Sequence, residues 1–137
     1  MLIFLILIFS FLTGIHVYWA FGGQWSADIV LPTDPTGKKM LSPSPLMTAI
    51  VSNGLFAFAV YYMLMAGWVH FMVPSWLMTL AGWGIPTIFL VRAIGDFNYV
   101  GFFRKVKDTP FGIKDQQIFT PLCLLISVLG FLVQTFM

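Results

Sequence analysis

The chain has 137 residues, of which 59% are hydrophobic and 9% are charged. A soluble domain has roughly 25% charged residues, so this composition excludes an ordinary soluble fold and indicates that the bilayer solvates much of the chain. The net charge of +2 is too small to indicate a nucleic-acid partner. The chain has one cysteine, Cys123, and no glutamate. An intramolecular disulfide is therefore excluded, and aspartates are the only side-chain carboxylates.

The first long apolar run covers residues 2–22 and contains no charged residue. A cleaved signal peptide has a basic segment before its apolar core and small residues at its cleavage site, and this run has neither. We therefore expect a retained transmembrane helix. The polar loop that follows, 23–44, contains the sequence DPTG starting at Asp34, which is typical of a type I turn.

The second and third spans are predicted over residues 45–69 and 74–97. Ser44 is a good N-cap, and Pro45 suits the first helical position. Pro86 lies near the middle of the third span, where its missing N–H group predicts a kink.

The fourth span is predicted over residues 119–137, beginning at the pair Thr120 and Pro121. Before it, apolar side chains recur at helical spacing through the segment Tyr99–Val106, which is the pattern of an amphipathic helix. We expect this segment to lie along the membrane surface. Its basic residues are then contacts to anionic lipid headgroups: Arg104, Lys105 and Lys107.

These four spans predict one all-α transmembrane domain over residues 1–137. The expected architecture is an up-down-up-down four-helix bundle with a short interfacial amphipathic helix between its third and fourth helices. The loops 23–44 and 98–118 lie on one side of the membrane and contain six basic residues, whereas the connections on the other side contain none. Because Lys and Arg favour the cytoplasmic side, we expect both loops in the cytoplasm, both termini outside, and the chain in the cell inner (cytoplasmic) membrane.

Polar and aromatic residues from three spans are predicted at a similar depth, near the cytoplasmic side. Helical residues rise by about 1.5 Å each, which brings these side chains into the cytoplasmic half of the bilayer or to its surface. Charged and polar groups in lipid are costly and usually face the bundle interior. They are therefore the candidates for a ligand-binding cluster: His16, Trp19, Asn53, Arg92, Asp96 and Tyr99.

Each candidate also has a structural interpretation. Arg92 and Asp96 are four residues apart and can pair on one helical face, either as a structural ion pair or as one wall of a pocket. His16 can bond a neighbour at the interface or shuttle a proton. Asn53 can bond between helices, and Trp19 suits the aromatic belt at the membrane surface.

The sequence predicts no metal site and no cofactor. Methionine and histidine near the second connection are ligands that suit Cu(I), but Met63 and Met65 point to different faces of one helix, and methionine is a common apolar filler. The chain contains no P-loop, no GxGxxG, no HExxH and no pair of histidines spaced for haem.

Four fragments of the chain resemble one family: HVYWAFGG from His16, VLPTDP from Val30, RAIGDFNYVGFF from Arg92 and TPLCL from Thr120. This family, domain of unknown function 3995, comprises small bacterial four-span membrane proteins. The resemblance covers nearly the whole chain and implies a four-helix membrane protein, but it implies no activity and no residue roles. A looser likeness to four-span sterol-isomerase and sigma-receptor-like bundles is one of fold alone, and the lack of glutamate argues against a mechanism of that carboxylate type.

The sequence favours a non-enzymatic protein that binds a small amphiphile, a lipid or a partner protein through the polar cluster. A second interpretation is a membrane-embedded enzyme, isomerase-like or otherwise lipid-modifying, in which His16 or Asp96 transfers a proton. A third is a small transporter that works as a homo-oligomer, because four short helices alone rarely enclose a conduction path. An enzyme should hold His16 within about 4–5 Å of Asp96 or Arg92, close enough for one bridging water, whereas a structural pair should leave no cavity beside it.

Overall fold

A computed structural model of the chain describes residues 1–25, 27–40, 43–95, 97 and 99–137, with the backbone alone at residues 27 and 28. The described helices are α1 (Leu2–Ala20), α2 (Ala27–Val30), α3 (Pro45–Met65), α4 (Ser75–Ile94), α5 (Pro110–Lys114) and α6 (Thr120–Phe136), and a π-helical turn (Asp115–Phe119) joins the last two. Within the described residues the only strand-like pairing is one isolated bridge between Thr33 and Lys39.

Four described helical stretches are long and apolar enough to cross a membrane: Leu2–Ala20, Pro45–Met65, Ser75–Ile94 and Pro110–Phe136. The predicted fold class, an all-α integral membrane protein with four spanning helices, is confirmed. Apolar side chains cover these helices because the surrounding solvent is hydrocarbon rather than water. The chain is a multi-pass membrane protein.

The residues group into two compact units that differ in charge. The first comprises Met1–Gly23, Pro43–Pro86 and Val128–Met137, and the second comprises Gln24–Ser42 and Thr87–Ser127. The first contains no Lys, Arg, Asp or Glu, so all seven basic and all five acidic residues belong to the second. We call them the uncharged unit and the charged unit.

Aromatic packing holds α1 against α3 in the uncharged unit. The ring of Phe9 stacks on Tyr62 with centroids 5.8 Å apart, and it meets Phe58 edge-on at 5.6 Å. Farther along α1, the Thr13 carbonyl accepts a hydrogen bond of 3.2 Å from the Ser52 hydroxyl. Because later residues of α1 meet earlier residues of α3, the two helices are antiparallel.

Two local predictions from the sequence are confirmed. The Ser44 side chain accepts a hydrogen bond from the Met47 N–H at 3.2 Å, with Pro45 at the first position of α3. The turn at Asp34 is closed by a bond of 3.0 Å from the Gly37 N–H to the Asp34 carbonyl. Both features depend on residues that are close in sequence, which is why a local pattern predicts them.

The predicted amphipathic helix over Tyr99–Val106 is wrong. This segment consists of bends and turns, and the Phe102 N–H donates to the Ala93 carbonyl at 2.9 Å. The bond returns the chain to the end of α4. It replaces the local bonds of a helix, and Gly101 at φ +87° interrupts the helical backbone in the middle of the segment.

The fourth spanning helix begins at Pro110, well before the predicted start near residue 119. Thr109 caps it, since its hydroxyl accepts a bond of 3.0 Å from the Gly112 N–H. The predicted cap, Thr120, instead lies inside the continuous helical stretch and is buried. The earlier start brings Asp115 into the helix, where it becomes the centre of the charged unit.

Candidate functional site

Asp115 is the centre of a charged cluster. Its side chain is 0% exposed, and its Oδ1 accepts a hydrogen bond of 2.7 Å from Nη2 of Arg92. Its Oδ2 accepts from the Gly101 N–H at 2.8 Å and from Nη1 of Arg104 at 3.3 Å. Both oxygens are thus engaged, as a carboxylate away from water requires. We call Arg92, Gly101, Arg104, Asp115 and Gln116 the charged cluster.

The loop between α4 and α5 brings these groups together. Gly95 and Gly101 both have φ +87°, and a Cβ at Gly95 would collide with the Val100 carbonyl oxygen. Glycine is the residue that adopts this backbone without strain. The tight loop directs the Gly101 N–H at Asp115, which itself lies in a π-helical turn, a form frequent at functional sites.

Arg104 lies in the interior of the charged unit. Its side chain is 2% exposed, its Nη1 donates to the Gly101 carbonyl as well as to Asp115, and its Nη2 donates to Oε1 of Gln116 at 3.1 Å. The sequence prediction placed Arg104 on the lipid surface together with Lys105 and Lys107. The structure leaves the two lysines exposed but buries Arg104, because Asp115 and Gln116 bind its guanidinium group.

Arg92 connects the cluster to the surface. It occupies the last turn of α4, and its side chain is 31% exposed, against 0% for Asp115. Its Nη1 is buried and has no hydrogen-bond partner among the described residues, and the same holds for Nε of Arg104. The described cluster therefore contains two guanidinium groups for one carboxylate, with two N–H positions that bind nothing.

Exposed aromatic rings lie in the same loop as the cluster. Phe97 and Phe103 contact each other with ring centroids 5.8 Å apart, and both are exposed, as is Phe102. The charged unit thus combines a buried polar group with an apolar surface in one short segment.

The family model described as Protein of unknown function (DUF3995) matches residues 9–130. The chain belongs to this family. The resemblance found from the four sequence fragments is confirmed, and the family description states no activity. Searches of the curated proteins and of the solved structures found no match.

The candidate residues of this DUF3995 protein fall in both units. Arg92 is part of the charged cluster, and Tyr99 is half-buried in the loop that follows. Asp96 lies outside the described residues, so the Arg92–Asp96 pair stays a prediction. Among the described residues, Arg92 forms its ion pair with the carboxylate of Asp115.

His16, Trp19 and Asn53 belong to the uncharged unit. Nδ1 of His16 lies 2.7 Å from the Leu12 carbonyl oxygen, and a carbonyl only accepts, so Nδ1 carries the proton and Nε2 of a neutral ring is an acceptor. The Trp19 ring lies edge-on to His16, with centroids 5.1 Å apart. Asn53 is exposed and donates to the Ala49 carbonyl of its own helix at 2.9 Å.

A shallow apolar cavity of about 500 Å³ lies at the connection between α3 and α4 in the uncharged unit. Apolar side chains and one histidine line it: Leu64, Val69, His70, Phe71, Met72, Val73 and Met78. The described residues include no group of three or more His, Cys, Asp or Glu that could hold a metal ion. The cavity therefore offers apolar contact and little chemistry.

Sequence reasoning did not select Asp115 or Gln116 as candidates. A signal was present, because Asp115 is the last charged residue before the final apolar run. The same test that selected Arg92, a charge at the edge of an apolar span, would have selected Asp115 as well.

Proposed function

We propose that this protein binds a small amphiphile or lipid in the membrane, with the polar headgroup against the charged cluster. The observation that carries the proposal is the position of Arg92. Its guanidinium group is fixed by a fully buried carboxylate, while a third of its side chain is exposed. A charged side chain that is held in place by an ion pair and is also partly exposed is suited to contact a ligand rather than only to hold the fold.

The cost of the cluster supports the same conclusion. Charged groups at membrane depth are expensive and usually mark a functional site, and a buried ion pair is weak evidence for added stability, since apolar residues of similar volume often serve as well. The cluster is built from residues as far apart in sequence as Arg92 and Asp115. A bilayer protein that needed only to fold would gain little from this arrangement.

The surroundings of the cluster fit the second half of an amphiphile. Phe97, Phe102 and Phe103 present exposed rings in the loop that supplies Gly101 and Arg104. Apolar rings at the level of lipid headgroups are favourable contacts for an acyl or alkyl chain. A ligand with a polar head and an apolar tail would satisfy both surfaces together.

The proposed setting is the inner membrane, with the charged loops in the cytoplasm and both ends of the chain outside. Its support is the distribution of lysine and arginine, since every basic residue belongs to the charged unit and basic loops favour the cytoplasmic side. A reporter fused after Met137 should be active outside the cytoplasm. Activity of the reporter in the cytoplasm would refute this orientation.

Binding is tested by identifying the amphiphiles that co-purify with the protein in a neutral detergent. The variants are Arg92→Gln and, as a matched control, Lys39→Gln, which removes one positive charge from an exposed position. We expect the wild type and the control to retain one amphiphile that is depleted at least about tenfold from Arg92→Gln. A tenfold loss of affinity corresponds to about 1.4 kcal/mol, which a single hydrogen bond to a charged group can supply.

Thermal unfolding of each variant ensures that the comparison uses folded protein. If Arg92→Gln does not fold, Arg92→Lys keeps the charge but removes the fork that makes two parallel bonds, and partial depletion is expected. The same amphiphiles in equal amounts with all variants would contradict the proposal. A stoichiometric partner protein without any amphiphile would contradict it as well.

A further inference from the structure

The described charged cluster has more positive than negative groups. The guanidinium groups of Arg92 and Arg104 face the single carboxylate of Asp115. Arginine remains protonated at any pH that proteins experience, so the two guanidinium groups and the one carboxylate of the described cluster leave one positive charge among the described residues. In a region of low dielectric a net charge without a counter-ion is unfavourable.

Two N–H positions of the described cluster have no acceptor. Nη1 of Arg92 and Nε of Arg104 are buried without a partner among the described residues, and a buried donor without an acceptor is unfavourable. Asp115 is already engaged at both oxygens. The missing acceptor must therefore come from a group other than this carboxylate.

We infer that the headgroup of the bound amphiphile is an oxyanion, a phosphate or a carboxylate, and that Arg92 is the residue that binds it. This inference rests on the proposed function. An oxyanion supplies both missing features, the negative charge and the acceptor. Guanidinium groups match such oxygens in geometry, whereas a neutral headgroup would supply an acceptor alone.

The two arginines have different parts in this site. Arg92 is the contact to the ligand, because it is the member whose side chain reaches the surface. Arg104 is a positioning residue, since its bonds to Asp115, Gly101 and Gln116 hold the carboxylate that fixes Arg92. Loss of Arg104 should therefore reduce the preference for an anion without removing the surface that binds the tail.

The test compares ligands that share one tail and differ in the head: dodecyl phosphate, dodecanoate and dodecanol. Binding is measured by isothermal titration of the full chain in phosphatidylcholine nanodiscs, with empty nanodiscs as the blank. We expect dodecyl phosphate and dodecanoate to bind at least about tenfold tighter than dodecanol. Inorganic phosphate is titrated separately and is expected to bind much more weakly than dodecyl phosphate.

The variants locate the preference within the site. Arg92→Gln should lower the affinity for dodecyl phosphate to that for dodecanol, while Lys39→Gln keeps the wild-type ratio. Arg104→Gln should lower the same ratio with an unchanged affinity for dodecanol, which loss of folding alone would not produce. If Arg92→Gln does not fold, Arg92→Lys is used, and a reduced ratio is expected.

Failure of the inference differs from failure of the proposed function. Equal affinities for dodecanol and dodecyl phosphate would overturn the oxyanion headgroup and leave amphiphile binding in place. Binding of none of the three tailed ligands would contradict amphiphile binding itself. Inorganic phosphate that binds as tightly as dodecyl phosphate would show a soluble anion as the ligand and overturn the inference for a lipid headgroup.

Discussion

The helices of the uncharged unit and the charged cluster satisfy their polar groups in different ways. In the uncharged unit several polar side chains bond the backbone of their own helix, as Thr13 does to the Phe9 carbonyl at 2.7 Å and Thr79 to the Ser75 carbonyl at 3.1 Å. In the charged cluster several bonds join distant positions, and Arg92 meets Asp115 from 23 residues away. Local bonds survive small changes in packing, whereas the bonds of the charged cluster depend on one another.

This difference predicts where substitutions are costly. Some hydroxyls bond only a carbonyl of their own helix. Removing such a hydroxyl leaves no other side chain without a hydrogen-bond partner. Removing one member of the charged cluster leaves a charge without its counter-charge, and the penalty for that is large.

Asp115→Asn should give the largest destabilisation, about 3–5 kcal/mol, because it leaves two guanidinium groups without their carboxylate. Denaturant titration in a mild detergent measures the change. Asp108→Asn is the matched control, since Asp108 is exposed, and it should cost less than about 0.5 kcal/mol. Equal effects of the two substitutions would show that the cluster does not organise the charged unit.

Asp96→Asn belongs in the same series. It tests the Arg92–Asp96 pair predicted from the sequence. If that pair stabilises the fold, the substitution should clearly lower the free energy of unfolding. Wild-type stability would reject a structural role for that pair and leave Asp115 as the carboxylate on which Arg92 depends.

In the uncharged unit the largest effect should come from packing. A Cβ at Gly130 would lie 2.9 Å from Cβ of Pro86, which belongs to a rigid ring within α4, so Gly130→Ala should cost about 1–3 kcal/mol through overpacking. At Gly84 nothing lies within 4 Å of the added atom. Gly84→Ala should be neutral or stabilising by up to about 1 kcal/mol, and a loss of stability there would contradict the packing described for α4.

Much of the fold followed from local signals. The long apolar runs predicted the four spanning helices, and Ser44 and Pro45 predicted the start of α3. The apolar spacing of the segment Tyr99–Val106 predicts a helix, although the segment consists of bends and turns. What decides its structure is a set of bonds to distant residues, namely Ala93 and Asp115.

The site was predicted only in part for the same reason. Arg92 could be selected because a charge at the end of an apolar span is unusual. Arg104 was assigned to the surface because it stands in a basic run, and no local pattern reveals that Asp115 and Gln116 bind it. Partners so far apart in sequence are identified by tertiary structure, not by spacing.

Helix caps offer a smaller test of the same contrast. Thr109 is buried and caps α5 in the charged unit, whereas Ser44 is exposed and caps α3 in the uncharged unit. Thr109→Ala should cost about 1–2 kcal/mol and Ser44→Ala about 0.5–1 kcal/mol, because water can replace only the exposed cap. Thermal unfolding of the two variants measures the order, and the reverse order would contradict the burial of Thr109.

The smallest effect concerns the turn at Asp34 and its dependence on pH. The Thr36 hydroxyl, at 2.6 Å, and the Lys38 N–H hold the pKa of the Asp34 carboxyl below its ordinary value of 3.8. Because the pKa is lowered in the folded state, the ionised carboxylate stabilises the turn at any pH above the ordinary pKa. This contribution is lost as the pH falls through the folded-state pKa. Following the amide protons of the turn by NMR should show this, and Thr36→Val should move the pKa upward; an Asp34 pKa at its ordinary value would contradict these bonds.

The most direct test of the central claim, that the charged cluster binds an amphiphile, is covalent mapping with a photoreactive alkyl phosphate. The full chain is irradiated with the probe in phosphatidylcholine nanodiscs, and the labelled peptides are identified by mass spectrometry. We predict labelling concentrated on the loop that contains Phe97, Phe102 and Phe103. This labelling is lost in Arg92→Gln and kept in Lys39→Gln. Labelling spread over the exposed faces of α1 and α3, unchanged by Arg92→Gln, would contradict the claim.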